Sequence, residues 1–125
     1  EILFNLVNIE RVSRGISVFE KDPRICEIAQ MRGPELSSEV ATNTMHAGLH
    51  SLQFPFFVTE NIIQIRNLED VIVWWLNSPI HRRQMLGDYK YACTACSGKS
   101  CILVFTNFTP KSTTPKPSIT EILNQ

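Results

Sequence analysis

The chain has 125 residues, with twelve basic and twelve acidic side chains and a formal net charge of zero at pH 7. That length predicts one domain with a single core. The balanced charge provides no global attraction to nucleic acid or anionic membranes, and no apolar run approaches the roughly 20 residues that a transmembrane helix requires. The sequence begins at Glu1 rather than at Met, which suggests a mature or trimmed product that has already lost any signal peptide.

Two helices are predicted at the start of the chain. Apolar residues recur at helical spacing over residues 2–9, and Gly15 supplies an end to this helix. After a short extended link, Asp22-Pro23 combines a capping residue with proline at the first helical position, which predicts a second helix as far as Met31. Gly33-Pro34 is expected to break that helix.

The next segment carries mixed signals. Residues 35–43 combine turn-forming side chains with a few apolar ones, and we expect weak helicity there. Residues 46–58 hold two histidines and then a phenylalanine-rich run, in which Pro55 argues against a central strand before Phe56. A short β-rich stretch is expected over residues 56–63.

The rest of the chain is organised around residues 59–86, which place a glutamate near one end, a histidine near the other and a strongly apolar segment between them. Asn67 is expected to cap a helix there, and acidic side chains in its first turn favour that start. Ser78-Pro79 then predicts a second short helix, which carries His81 and ends at Gly87. The bend between the two helices therefore sets the direction in which His81 points.

A β-hairpin is predicted after these helices. Residues 89–95 and 100–108 are β-prone, and the loop between them contains Gly98. From Thr109 onward the chain is rich in proline, serine and threonine, with too little apolar area to fold alone. We therefore expect a folded domain over residues 1–108 and a linker or tail over residues 109–125.

Several motifs resemble one known family. Glu60-Asn61-Ile62, a helix with a tryptophan and the run NSPIHRR at residues 77–83 look like the bacterial-type branch of the CAP superfamily, the cysteine-rich secretory, antigen 5 and pathogenesis-related-1 proteins, also called SCP-like domains. Residues 5–11 and 102–108 resemble the family's opening helix and last strand. The resemblance covers most of residues 1–108. It implies an α+β fold of the CAP type, an α-β-α sandwich in which helices cover both faces of a small antiparallel sheet.

The resemblance also implies a functional cleft. In the family, a histidine that precedes the Glu-Asn-Ile motif, the glutamate of that motif and a histidine after the tryptophan helix converge. The matching positions are His50, Glu60 and His81. His46 is a second candidate for the first position, although His50 is preferred because a serine follows it, as in the family. Taken singly, each of these residues is more often a hydrogen-bonded structural residue than a ligand, so the prediction rests on their joint match.

Two imidazoles and a carboxylate form a set suited to Zn²⁺ or a similar divalent ion, and His50, Glu60 and His81 are the predicted ligands. An open position on such an ion activates water, so a metal-assisted hydrolase with Glu60 as general base or ligand is an alternative. The HExxH and GxSxG motifs are absent from the sequence. The resemblance implies debated or absent enzymatic activity, and we expect a binding module rather than an enzyme.

Thr59 and Ile80 stand where the family usually has glycine. Both side chains add bulk beside the expected cleft. If those glycines serve a close backbone approach or a positive φ, their replacement reshapes or closes the site.

The cysteines of the sequence are Cys26, Cys93, Cys96 and Cys101. An even number in a small domain, together with the secreted habit of the family it resembles, favours two disulfides. We expect one bridge within the hairpin and one from Cys26 to the hairpin. A zinc site built from the three hairpin cysteines, with Cys26 or a histidine as fourth ligand, is the alternative, and reduced thiols are a third interpretation.

Aromatic residues form a further apolar set, which is Phe54, Phe56, Phe57, Trp74 and Trp75. Core packing is their commoner role, but they could also line a lipid groove, and the resemblance implies sterol or fatty-acid binding in some members. Arg82-Arg83 with Lys90 is too small a basic patch to bind nucleic acid. We expect a secreted module that binds a divalent metal, a sterol or fatty acid, or a protein partner. A zinc- or disulfide-stapled structural domain is the remaining alternative.

Overall fold

The structure is a computed structural model that describes residues 2–64 and 67–109. The boundary predicted at residue 109 lies at the edge of this part, and the rest of the predicted tail, residues 110–125, lies outside the described residues. In chain order the helices and strands are α1 (Ile2–Ser13), α2 (Pro23–Arg32), α3 (Leu36–Thr42), α4 (Ala47–Ser51), β1 (Thr59–Gln64), α5 (Leu68–Asn77), α6 (Pro79–Met85), β2 (Tyr91–Ser97) and β3 (Ser100–Thr106).

The three strands form one antiparallel sheet in the order β1-β3-β2. The predicted hairpin is present as β2 and β3, and Gly98 takes a φ of 60° in its turn, a conformation that glycine adopts without steric penalty. β3 lies at the centre, and all seven of its residues are buried. Glu60 of β1 lies opposite Val104 of β3, so the glutamate stands on an outer strand of the sheet.

Each face of the sheet packs against helices. Leu103 and Phe105 point into one core with side chains from α1 and α5, whereas Ile102 and Val104 point into a second core with side chains from α2, α3 and α4. This alternation is the period-two pattern of a strand that is buried on both faces. The predicted α-β-α sandwich is therefore confirmed.

The first two helices lie where the sequence predicts them. α1 ends at Ser13, and Gly15 follows with a φ of 75°. At the start of α2 the Asp22 side chain accepts a hydrogen bond from the backbone N–H of Arg24 at 2.9 Å, as expected of a capping aspartate. The helices predicted after Asn67 and Ser78 are also present, as α5 and α6.

The break predicted at Gly33-Pro34 ends α2 but does not take the chain out of helical conformation. α2 does end at Arg32, but Gly33–Glu35 form a 3-10 turn and α3 begins directly after it. Gly33 keeps helical angles (φ −46°, ψ −56°), and Pro34 lies in the first turn of the 3-10 helix, a position that tolerates the missing N–H of proline. The chain therefore stays helical from α2 into α3. α4 is a further difference, because the sequence analysis predicts no helix over residues 47–51.

The four cysteines form two disulfides, Cys26–Cys93 and Cys96–Cys101. This confirms one bridge within the hairpin and one from Cys26 to the hairpin. Cys96 and Cys101 are direct partners across the β2–β3 register, whereas Cys93 faces α2 on the other side of the sheet. All four thiols are consumed, so the cysteines provide no thiolate ligands for the alternative zinc site.

Arg11 fixes the end of α6 against α1. Its guanidinium is buried, and Nη1 donates to the carbonyl oxygens of Met85 and Gly87 at 2.9 Å each. It also stacks on the ring of Phe19 at 3.8 Å. A cation at the carbonyl end of a helix is favourable, and here it holds in place the helix that carries His81.

Candidate functional site

A cleft of about 490 Å³ lies along β1, between the α3–α4 segment on one side and α5 and α6 on the other. Its volume is in the range of small-molecule sites. Apolar side chains form most of its walls, and the polar ones include three of the four predicted cleft residues, His46, Glu60 and His81. Its lining residues are Val40, Met45, His46, Glu60, Ile62, Ile63, Gln64, Trp74, Ile80, His81 and Gln84.

Glu60 is an anchored carboxylate. Its residue is 3% exposed, and Arg32 binds both of its oxygens, with Nε to Oε2 at 3.0 Å and Nη2 to Oε1 at 2.6 Å. Burial alone would raise the pKa of Glu60, but the hydrogen bonds and charges of His46 and Arg32 outweigh it and hold the pKa below its usual range. Glu60 is therefore ionised at neutral pH.

Arg32 is the centre of an ionic cluster beneath the cleft. Besides Glu60 it binds Glu39, through Nη2 to Oε1 at 2.7 Å and through Nη1 to Oε2, and it binds Oε2 of Glu35 at 2.8 Å. Burial lowers the pKa of the Arg32 guanidinium, but the hydrogen bonds that Arg32 donates to Glu39 and Glu60, together with the charges of those carboxylates, raise it by more, so the net shift is upward. The continuous helical path from α2 into α3 puts Arg32, Glu35 and Glu39 on one face.

The absence of a side chain at Gly48 makes room for this cluster. A Cβ at that position would lie 1.7 Å from Oε2 of Glu35 and 2.2 Å from Nη1 of Arg32. The backbone N–H of Gly48 also donates to Oε2 of Glu39 at 3.1 Å. The start of α4 therefore closes directly over the ion pairs.

His46 joins the cluster to the cleft. It takes a left-handed backbone conformation (φ 71°) just before α4, and its backbone N–H donates to Oε1 of Glu39 at 2.9 Å. Its ring Nδ1 lies 3.0 Å from Oε1 of Glu60. The imidazole is half-buried and forms part of the cleft wall.

His81 faces the same cleft from α6. Its Nδ1 lies 2.7 Å from Oγ of Ser78, the residue at the cap position of α6. Burial, and then the nearby charge of His46, lower the pKa of His81. Nδ2 of Asn61 donates to the backbone carbonyl of His81 at 3.0 Å and so connects α6 to β1. Oδ1 of Asn61 is buried and has no hydrogen-bond partner among the described residues.

The cleft brings together His46, Glu60 and His81, whereas His50 lies elsewhere. His50 is exposed on α4, its ring centroid lies 6.2 Å from that of His46, and it is not among the described residues that line the cleft. The His-Ser resemblance thus favours His50, but the geometry places His46 beside Glu60.

The predicted metal set does not fit the geometry of the described residues. No group of three or more histidine, cysteine, aspartate or glutamate side chains in residues 2–64 and 67–109 is arranged to hold a metal ion. Arg32 engages both oxygens of Glu60, and His50 lies outside the cleft. A metal at Glu60 would have to compete with a buried guanidinium.

Arg32, Glu39 and Gly48 are the site residues that the sequence analysis does not predict. The arginine and the two glutamates at positions 32, 35 and 39 have helical spacing, which is a usable signal. Because a break is predicted at Gly33-Pro34, the sequence analysis does not place these three residues on one continuous helical path.

The positions that depart from the family pattern have different surroundings. Ile80 is 59% exposed and forms part of the cleft wall. Thr59 lies beside the cleft, and its Oγ1 donates to Oε1 of Gln84 at 3.0 Å. The cleft persists with both side chains present.

The aromatic set divides among the core, the cleft and the surface, where Phe57 is 60% exposed. Trp75 is fully buried, whereas its neighbour Trp74 is 59% exposed and lines the cleft. Phe54 and Phe56 stack at 5.5 Å and pack against the second core, which is the predicted commoner role.

Solved structures share this architecture. A cysteine-rich secretory protein from Staphylococcus aureus superposes with a TM-score of 0.65 at 18% identity, over 84% of this chain and 36% of that one. The chain has the CAP-type fold. An extracellular protein with an SCP domain from Bacillus anthracis has a TM-score of 0.64 at 18% identity, over 83% of this chain and 38% of that one. An outer surface protein from Borrelia burgdorferi has the same TM-score and identity as the second, over 88% of this chain and 91% of that one.

This CAP-type chain thus spans a little over a third of the first two proteins and nine tenths of the third. No family model matches the sequence, and no curated protein is significantly similar to it. No helix of the described residues is long and apolar enough to cross a membrane. The two disulfides are consistent with an extracellular location. The solved structures from Bacillus anthracis and Borrelia burgdorferi are likewise described as an extracellular protein and an outer surface protein.

Proposed function

We propose that this protein is a secreted binding module whose cleft takes a small ligand with an apolar body. The observation that carries the proposal is the cleft itself, about 490 Å³ with mostly apolar walls and a few polar groups that adjoin one another. His46 bonds Glu60 and lies close enough to His81 to depress the pKa of that imidazole. Apolar walls supply affinity, and the polar group sets the orientation of the ligand.

The rim of the cleft supports the same proposal. Trp74, Ile80 and Met45 all line the cleft, and each is more than half exposed. Large apolar side chains held together at a surface mark interaction sites. Covering them with a ligand would gain roughly 25 cal/mol for each Å² of apolar surface removed from water.

The other functions predicted from the sequence gain less support. Hydrolysis with Glu60 as general base requires a carboxylate that takes up a proton near neutral pH, and Arg32 holds this one ionised. Zn²⁺ binding by His50, Glu60 and His81 stays a prediction of the sequence. A sterol, a fatty acid and a protein partner remain open identities for the occupant.

Tryptophan fluorescence tests the proposal directly. The chain has two tryptophans, and Trp75 is fully buried while Trp74 lines the cleft. Titration with linear alcohols such as octanol should shift the emission to shorter wavelength and saturate, and Trp74→Phe should abolish the shift. Absence of saturable binding across the alcohol series, by fluorescence and by calorimetry, would overturn the proposal.

A matched pair of variants ties the binding to the cleft. Ile80 and Val73 are exposed to nearly the same extent, 59% and 57%, but Ile80 lines the cleft and Val73 does not. Ile80→Arg should abolish octanol binding, whereas Val73→Arg should retain it. Equal loss in both variants would indicate that the alcohol binds elsewhere.

A further inference from the structure

The charge around the cleft is negative. Among the described residues that line it, Glu60, His46 and His81 are the ones that can carry charge. Arg32 beneath them meets the buried carboxylates of Glu39 and Glu60 and the partly exposed carboxylate of Glu35, so this cluster has more negative than positive formal charge. Arg82 and Arg83 on α6 are exposed and do not line the cleft.

The hydrogen bond between His46 and Glu60 determines what His46 presents to a ligand. An ionised carboxylate only accepts hydrogen bonds, so the Nδ1 of His46 that faces Glu60 carries a proton. When Nδ1 is the only protonated nitrogen of the ring, Nε2 has a lone pair. An ammonium or hydroxyl group can donate to that nitrogen, whereas a ligand carboxylate would face it lone pair to lone pair.

Trp74 adds a second feature that favours positive charge. Its indole lines the cleft and is 59% exposed, so it is available to a ligand. The face of an indole attracts cations more strongly than any other side-chain ring. The burial that lowers the pKa of His81 also keeps that imidazole neutral at neutral pH, so it brings no compensating positive charge.

We propose that the cleft selects a ligand whose polar head is an ammonium group attached to an apolar chain, and that it discriminates against carboxylates. The excess of carboxylates around Arg32 and the indole of Trp74 provide the recognition, and Nε2 of His46 accepts a hydrogen bond from the ammonium group when only Nδ1 of that ring is protonated. This inference rests on the proposed function, since it names the ligand class of the same cleft.

Calorimetric titration with octylammonium, octanol and octanoate at neutral pH separates the two proposals. We expect octylammonium to bind about tenfold more tightly than octanoate, with octanol between them. High salt should reduce this ratio, because it screens the charges. Octanoate binding as tightly as octylammonium would overturn the inference and leave the proposed function in place. Failure of all three probes to bind would overturn the proposed function.

Two variants test the source of the selectivity. Trp74→Leu keeps an apolar side chain but removes the indole, so it should weaken octylammonium binding severalfold more than octanol binding. His46→Gln should also lower the octylammonium preference, whereas the matched variant His50→Gln, outside the cleft, should not. A preference that is unchanged in both Trp74→Leu and His46→Gln would contradict the assignment.

Discussion

Arg32 and Glu60 lie 28 positions apart in the sequence and form a two-pronged ion pair directly beneath the cleft. Both side chains are essentially removed from solvent. The pair connects the end of α2 to β1, and so joins a helix that covers the sheet to the strand that lines the cleft. Glu60, which matches the glutamate of the family motif, therefore also has a structural role as the partner of Arg32.

Removal of the arginine should destabilise the protein strongly. Arg32→Met leaves Glu39 and Glu60 buried without their cation, and breaking a buried pair in this way costs about 3–5 kcal/mol. Urea unfolding measures the loss. The matched variant Arg14→Met removes a surface pair with Glu10, which is worth about 0.5 kcal/mol or less. A loss from Arg32→Met as small as that of Arg14→Met would show that the cluster contributes little.

Two glycines allow a matched test of space over the cluster. Gly48→Ala introduces a methyl group into the position occupied by the carboxylate of Glu35 and the guanidinium of Arg32, and should cost about 1–3 kcal/mol. Gly33→Ala is the control, because Gly33 has helical angles and its added Cβ would meet Cβ of Ser97 at an ordinary 3.6 Å. That variant should be neutral or stabilising by about 0.5 kcal/mol. Thermal unfolding should show melting temperatures that the two variants shift in opposite directions or by clearly different amounts.

The stability of the fold should decrease in acid because of the buried glutamates. The Arg32 hydrogen bond holds the pKa of Glu39 below the ordinary value of 4.5, and the pKa of Glu60 is lowered as well despite its burial. Below pH 4.5 the unfolded chain therefore binds more protons than the folded one, and the free energy of unfolding falls until the folded-state pKa values are passed. Glu39→Gln should flatten this fall in urea titrations at a series of pH values. An unchanged slope would contradict the assignment.

His81 predicts a second loss of stability, which begins as the pH falls below 6.5, before the range in which the glutamates titrate. Burial and the charge of His46 hold its pKa below the ordinary 6.5, so the folded protein resists protonation that the unfolded chain accepts. This contribution is fully present above pH 6.5 and is lost as the pH falls through the lower folded-state pKa. In His81→Gln the free energy of unfolding should change less between pH 6.5 and 4.5 than in the parent. Ring resonances of His81 followed by NMR would give the pKa itself.

The two disulfides should contribute unequally. Cys26–Cys93 closes a loop of 67 positions and Cys96–Cys101 one of five. On the chain-entropy account the first stabilises by about 4 kcal/mol and the second by about 2 kcal/mol. Paired serine variants of each bridge, compared by denaturant unfolding, measure the difference. A larger loss from the short bridge would indicate that native packing, not loop entropy, controls their effect.

Much of the fold follows from local signals in the chain. The Asp22-Pro23 start of α2, the turn at Gly98 and the apolar spacing of α1 each lie within a few residues of the structure that they specify. The hairpin and the helix pair α5 and α6 were therefore accessible to prediction, and the motif resemblance supplied the sandwich. Among the predicted site residues, His46, Glu60 and His81 line one cleft, and their role there stays a prediction.

Other features depend on which surfaces meet in space. Three such features are the position of His46 rather than His50 beside Glu60, the pairing of Cys93 with Cys26 and the burial of Arg32 against Glu60. The disulfide and the Arg32–Glu60 ion pair each connect segments that are distant in sequence, whereas the two histidines lie only one helical turn apart. Capping and periodicity act between neighbours along the chain, so they predict the elements. Ion pairs, disulfide partners and cleft walls depend on the distances set when those elements pack, and these distances appear only in the folded protein.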